Sequence, residues 1–149
     1  MGLSQRVEGI VVKGWKIASG LATENPFGGS TIKMQIQLFK ELGLDLSGCY
    51  PGTLNVSIAP RTRTILVREP NYCGLKWHPD LTEDFFIFKC RLCFRGVCYD
   101  GWVYHPDKSK GARHQHKQDT FEILAPLIPG ITYRDTVVLI LDPNEIRIE

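Results

Sequence analysis

Short apolar-rich runs separated by polar and turn residues fill most of this chain, and one stretch carries apolar residues at helical spacing. Short runs rich in β-branched and other apolar residues between turn residues mark strands, and they predict them over residues 7–13, 56–59, 64–67, 121–125, 137–141 and 146–148. The pair 56–59 and 64–67 flanks a turn at Pro60-Arg61-Thr62-Arg63. Residues 85–94 and 97–105 form a predicted hairpin about Arg95-Gly96. Gly9, inside the first strand, points to a bulge or a close backbone approach. Ile32, Ile36, Phe39 and Leu42 instead recur at 3.6-residue spacing, with Ser30 or Thr31 as N-cap and Gly43 as stop signal. Residues 69–84 hold Pro70, Gly74 and Pro79 and read as an irregular covering loop. Many short strands and no repeat predict one mainly β domain over residues 1–149, barrel-like, with the helix 31–42 across an opening.

The pattern is most specific at Tyr50-Pro51-Gly52-Thr53-Leu54-Asn55-Val56. Pro51 fixes its own φ, and Gly52 suits the third position of a type II turn. Thr53 and Asn55 then alternate with Leu54 and Val56, so a hydroxyl and a carboxamide point the same way at the mouth of a turn. Such oxygen donors suit a hard cation such as Mg²⁺, which keeps waters and substrate phosphates in its shell. The other reading of the same spacing is the polar outer face of an edge strand.

Two loops bear on a nucleotide. Residues 18–30 are rich in glycine and small polar residues and feed the helix, which suits backbone N–H groups approaching a phosphate; a plain connection has the same composition. The motif is not a Walker loop. Lys108, Lys110, Arg113, His114, His116 and Lys117 make residues 108–118 basic, as a solvated or a phosphate-facing loop. Glu122 lies beside that loop on a strand, as a base, a hydrogen-bond acceptor or an ordinary outward residue.

Composition narrows the classes further. A net charge of +2 and an apolar fraction of 43% demand neither nucleic acid nor disorder. No apolar run approaches the roughly 20 residues of a membrane span. The first residues lack the apolar stretch of a signal peptide, and Arg6 stands where myristoylation wants Ser or Thr. The five cysteines are therefore expected to be reduced thiols in a cytoplasmic protein. Cys90 and Cys93 would face opposite sides of a strand, which disfavours zinc. His114 and His116 share a face of an extended segment without a third ligand, and no Gly-x-Ser-x-Gly is present.

Three stretches carry a resemblance. The segment from Tyr50 to Val56 resembles the Pro-Gly-Thr-Leu-Asn signature of the archaeal CTP-dependent riboflavin kinases. Asp100-Gly101-Trp102-Val103-Tyr104-His105-Pro106 is similar to that family's Asp-Gly strand ending in Pro. The segment from His116 through Thr120-Phe121-Glu122-Ile123-Leu124-Ala125-Pro126 looks like its Glu-Ile-Ile-Ala-Pro segment. Order and spacing agree from Gly9 to Leu141. The resemblance implies a small cradle-loop β-barrel that transfers the CTP γ-phosphoryl group to the 5′-hydroxyl of riboflavin, giving FMN. Carried over by position, Thr53 and Asn55 hold Mg²⁺ and Glu122 contacts the flavin near its attacking hydroxyl. Ser109 or His114 matches a further flavin-side residue. Gly20, Leu21, Ala22, Thr23, Glu24 and Asn25, with Gly28 and Gly29, fall on the nucleotide loop. Leu127, Ile128, Pro129 and Gly130 form a second nucleotide contact. Riboflavin or FMN and a nucleotide are then the partners of a monomer, without nucleic acid or membrane.

The departures define an alternative. The family loop reads Ser-Gly-Leu-Gly-Glu-Gly, whereas here Ser19-Gly20-Leu21-Ala22-Thr23-Glu24 is followed by an inserted Asn25-Pro26-Phe27-Gly28-Gly29. An Arg expected after the Ala-Pro is replaced by Leu127-Ile128-Pro129-Gly130. Phosphoryl transfer depends on cations aimed at the phosphates. A barrel that binds a flavin or nucleotide without transferring phosphate is the alternative; Lys33, Lys108, Lys110 and Arg113 are the candidate substitutes for the cation.

Overall fold

The computed structural model describes residues 2–13, 31–107 and 118–149. Its elements in chain order are β1 (Gln5–Val12), α1 (Thr31–Glu41), β2 (Leu54–Ser57), β3 (Arg63–Ile65), β4 (Tyr72–His78), β5 (Leu81–Phe94), β6 (Val97–Pro106), β7 (Thr120–Leu124), β8 (Thr136–Leu141) and β9 (Ile146–Ile148). Half of the described residues are in strands and 9% in a helix, so the mainly β reading holds.

Strand β5 organises the rest. It is long enough to use one edge twice: its first half pairs with β4, and its second half pairs with β8 through Arg91, Leu92 and Cys93. The other edge carries β6 along its length, from Phe85↔Pro106 to Phe94↔Val97. The order β5-β6-β7-β2-β1-β8, returning to β5, makes a ring of six strands, with β4 outside it. A separate two-stranded sheet pairs β3 with β9. Side chains alternate across each strand, and the inward set forms one apolar core. It takes Val7 and Val11 from β1, Leu54 and Val56 from β2, and Phe88 and Leu92 from β5. Val103, Phe121, Ile123 and Leu139 complete it from β6, β7 and β8.

The outward set of β5, β6 and β7 is covered by α1. Ile32 and Phe39 of the helix pack with Phe85, Ile87, Tyr104 and Leu124, and with Leu44 and Leu46 beyond it. The helix therefore lies on the outer face of the sheet, not across an opening of the ring. Its predicted stripe breaks at Leu42, which is exposed, because the chain leaves the helix there. Gly43 sits at φ +93°, Gly43 N–H donates to Lys40 O, and Leu44 N–H to Phe39 O. Those two bonds are a Schellman cap, and Leu44 takes the buried place expected of Leu42.

Two expectations from the pattern change. Residues 69–84 contain β4 and the start of β5. Gly74, at φ +75°, and register shifts between Tyr72 and Leu75 and between Leu75 and His78 break the alternation that would have revealed the strand. The cysteines are not all thiols: Cys93 and Cys98, direct cross-strand partners in the β5–β6 hairpin, are joined in a disulfide. The Arg95-Gly96 turn decides this, since both residues have positive φ and the two-residue loop sets Cys93 opposite Cys98. Cys90 is buried as a thiol with its pKa pushed far up by loss of water, whereas Cys49 is half-buried and Cys73 exposed.

Candidate functional site

The three stretches singled out in the sequence become neighbouring strands. Residues 54–57 form β2, 120–124 form β7 and 97–106 form β6, in the sheet order β6-β7-β2. Two close approaches lock them. Tyr50 N–H donates to Ala125 O at 2.8 Å. A Cβ at Gly101 would lie 2.5 Å from Leu124 O, so only glycine lets β6 sit this tightly against β7.

The outer face of these strands carries the polar residues. Asn55 is directly opposite Glu122 in the β2–β7 ladder, and direct partners share a face. The β6–β7 register pairs Trp102 with Leu124 and Val103 with Ile123. One position further along, it brings Tyr104 beside Glu122. Across the sheet, the row therefore reads Asn55, Glu122, Tyr104. Thr53, in the next row, donates its hydroxyl diagonally to Glu122 Oε1 at 3.0 Å.

Thr53 is buried and Asn55 and Glu122 are half-buried, so the predicted shared orientation of Thr53 and Asn55 is realised. The edge-strand alternative is not, because β2 is paired by β1 on one side and β7 on the other. A polar face on an internal strand needs partners or a ligand more than an edge does.

Charge around Glu122 comes from below. Arg63, at the start of β3, is 7% exposed; its N–H donates to Gln118 O and its Nε to Thr120 O, both at 2.8 Å. The guanidinium lies 5.4 Å from the centre of the Phe121 ring. Burial lowers its pKa, while the carboxylates of Glu122 and Asp119 act in the opposite direction. Arginine stays charged through such a shift, so Arg63 is a fixed cation under the N-terminal end of β7. Tyr104 donates its hydroxyl to Gln35 Oε1 of α1 at 2.6 Å. Burial raises the Tyr104 pKa well above its ordinary value, and Glu122 and Glu83 add to the rise.

As metal ligands, Thr53, Asn55 and Glu122 offer a hydroxyl, a carboxamide oxygen and one carboxylate. All are hard oxygens of the kind Mg²⁺ takes. Thr53 gives its proton to Glu122, which leaves its lone pairs for a cation. With one carboxylate, the set fits an ion that draws its remaining ligands from water and phosphate. Among the described residues no cluster of three or more His, Cys, Asp or Glu could hold a metal without such help.

No family model matches the chain, and no curated protein does.

The remaining predicted site residues divide. Gly20, Leu21, Ala22, Thr23, Glu24, Asn25, Gly28, Gly29, Ser109 and His114 lie outside the described residues, as do Lys108, Lys110, Arg113 and His116. Past the end of β7, Leu127 is exposed, Ile128 is buried in the ring core, and Pro129 and Gly130 are exposed. Ile128 therefore packs inward, and Leu127, Pro129 and Gly130 are the members of that set open to a ligand. Lys33 is exposed on α1. Arg63, Gln35 and Tyr104 are what sequence reading misses. Arg63 sits in a turn composition, and Gln35 stands three residues after Ile32 and four before Phe39, a place on the apolar stripe that was the one available signal. No helix is long and apolar enough to cross a membrane among the described residues.

Proposed function

We propose that this protein is a CTP-type, nucleotide-dependent riboflavin kinase, which transfers a phosphoryl group to the riboflavin 5′-hydroxyl to give FMN. The observation that supports it is the Thr53 hydroxyl on the Glu122 carboxylate, with Asn55 opposite Glu122 on the same face. In the reaction the riboflavin hydroxyl oxygen bonds to the γ-phosphorus, and the bond from that phosphorus to the β-phosphate oxygen breaks. The hydroxyl proton passes to Glu122. Thr53 fixes the carboxylate's orientation through Oε1. Thr53 and Asn55 are the residues that would hold Mg²⁺, which supplies neutralisation of phosphate charge when bound. The chain's own task is then positioning, which is most of what phosphoryl transfer asks of a protein.

One observation favours the second reading, a barrel that binds flavin or nucleotide without transfer. The described cation in the field of Glu122 is Arg63, and its guanidinium is engaged with Thr120 O and Phe121 beneath the strand. A binder needs a shaped pocket, whereas a kinase also needs a cation on the migrating group. Incubation with riboflavin, Mg²⁺ and each nucleoside triphosphate in turn, followed by chromatography for FMN, separates the two. FMN is expected with CTP or another donor, and Asn55→Ala is expected to abolish it at unchanged melting temperature. Absence of FMN with every donor rejects the kinase and leaves the binder.

A further inference from the structure

Helix α1 brings a recognition group to this face. Gln35 is 1% exposed and Tyr104 6%, and the Tyr104 hydroxyl satisfies the carbonyl end of the Gln35 carboxamide at 2.6 Å. The other end carries two N–H donors, and Gln35 Nε2 has no acceptor among the described residues. Buried donors left in this state are few in native proteins, and each asks for a group that takes up the bond. Tyr104, which holds the carboxamide, stands beside Glu122 in the β6–β7 register. The unpartnered amine is therefore tied to the same row as Asn55 and Glu122.

The chemistry of the amine selects what it can read. A carboxamide is neutral, and one that is 1% exposed meets a bound group end-on through a single acceptor atom. Phosphate oxygens call for charged donors and several of them. A carbonyl oxygen or an unprotonated nitrogen in the edge of a planar heterocycle needs one neutral N–H donor in the ring plane. We propose that the Gln35 carboxamide, held by the Tyr104 hydroxyl, hydrogen-bonds a ring carbonyl or ring nitrogen of the heterocycle bound beside Glu122. This rests on the reading of the Thr53, Asn55 and Glu122 face as a ligand site. The ring is that of the flavin or of the pyrimidine nucleotide, which present the same acceptor chemistry.

Binding titrations without turnover test it, with riboflavin and CTP titrated separately in the presence of Mg²⁺. Gln35→Leu is expected to weaken one of the two by about 10- to 100-fold, as for a buried hydrogen bond lost from a site built around it. The other ligand should change by less than about twofold on the same reasoning. Tyr104→Phe should weaken the same ligand by a smaller factor, because the carboxamide remains but loses its support. The riboflavin and CTP arms identify the ring. An analogue of that ring lacking the acceptor atom should bind the unaltered protein and Gln35→Leu alike. The melting temperature of Gln35→Leu should fall modestly, since the buried Tyr104 hydroxyl loses its acceptor. Equal effects on both ligands, no effect on either, or a failure of the unaltered protein to bind both would overturn the proposal. So would a lower melting temperature with unchanged affinities, which marks a purely structural strut. If Gln35→Leu does not fold, selective weakening by Tyr104→Phe decides. Selective loss of riboflavin affinity in a protein that makes no FMN would uphold this inference while the kinase reading fails.

Discussion

At the scale of single residues, the candidate site combines groups of opposite character. Thr53 and Asn55 follow from a period-two pattern, because alternation alone puts them on one face. That Glu122 stands opposite Asn55 is a register fact, set by the β2–β7 pairing. Tyr104 is apolar by most of its surface and was hidden among strand residues, yet its hydroxyl meets Gln35 under the helix. Its titration has a readable consequence. Burial first, then Glu122 and Glu83, hold its pKa above the ordinary tyrosine value of about 10. The unfolded chain thus releases a proton that the folded chain keeps. The resulting stability is complete below pH about 10 and is lost as the pH rises through the folded value. Urea unfolding at about pH 8 and pH 11 should show the unaltered protein losing more stability than Tyr104→Phe. The excess should approach about 1.4 kcal/mol per pH unit within that window. Parallel losses in the two proteins would mean that Tyr104 ionises as freely folded as unfolded.

At the scale of elements, turn chemistry was the most legible signal. Arg95-Gly96 closes the β5–β6 hairpin where predicted, with Gly96 at φ +81° and Arg95 at φ 50°. Strand β4 was not legible, because Gly74 and two register shifts interrupt its alternation. The helix was placed correctly at its start and cap, and its face was misjudged by one position at Leu42. The cap itself can be measured. Gly43 holds φ +93°, a conformation that costs an L-residue about 1–2 kcal/mol. Gly43→Ala should therefore lower the melting temperature by roughly 2–4 °C for each kcal/mol lost in a chain of this size. An unchanged or higher melting temperature would show that the cap does not depend on the left-handed glycine. Because α1 covers Tyr104 and carries Gln35, loosening the cap should also weaken ligand binding at the Glu122 face.

At the scale of the whole molecule, ring closure depends on close approach between strands. Strand β1 pairs with β8 through residues 5–10 and with β2 from Ile10 to Val12. Gly9 lies at the hand-over, where a Cβ would come within 2.5 Å of Val56 Cγ1 and 2.9 Å of Ser57 O. A backbone oxygen cannot give way as a side chain can, so Gly9→Ala should cost about 1–3 kcal/mol in thermal or urea unfolding. Gly48→Ala, with nothing within 4 Å of the added carbon, should stay within about 0.5 kcal/mol of the unaltered protein. Equal effects from the two substitutions would remove the close approach as the reason for glycine at position 9. The mainly β class, the hairpin and the common orientation of Thr53 and Asn55 were determined by the sequence alone. Each depends on φ preference or on the two-residue repeat of a strand, and both are local. The tertiary structure decided that β5 pairs with both β4 and β8 and so closes the ring. It also buried Arg63 beneath β7 and set Gln35 and Tyr104 over the row of Glu122. Those outcomes come from register and from packing between segments far apart in the chain, and no local pattern carries either.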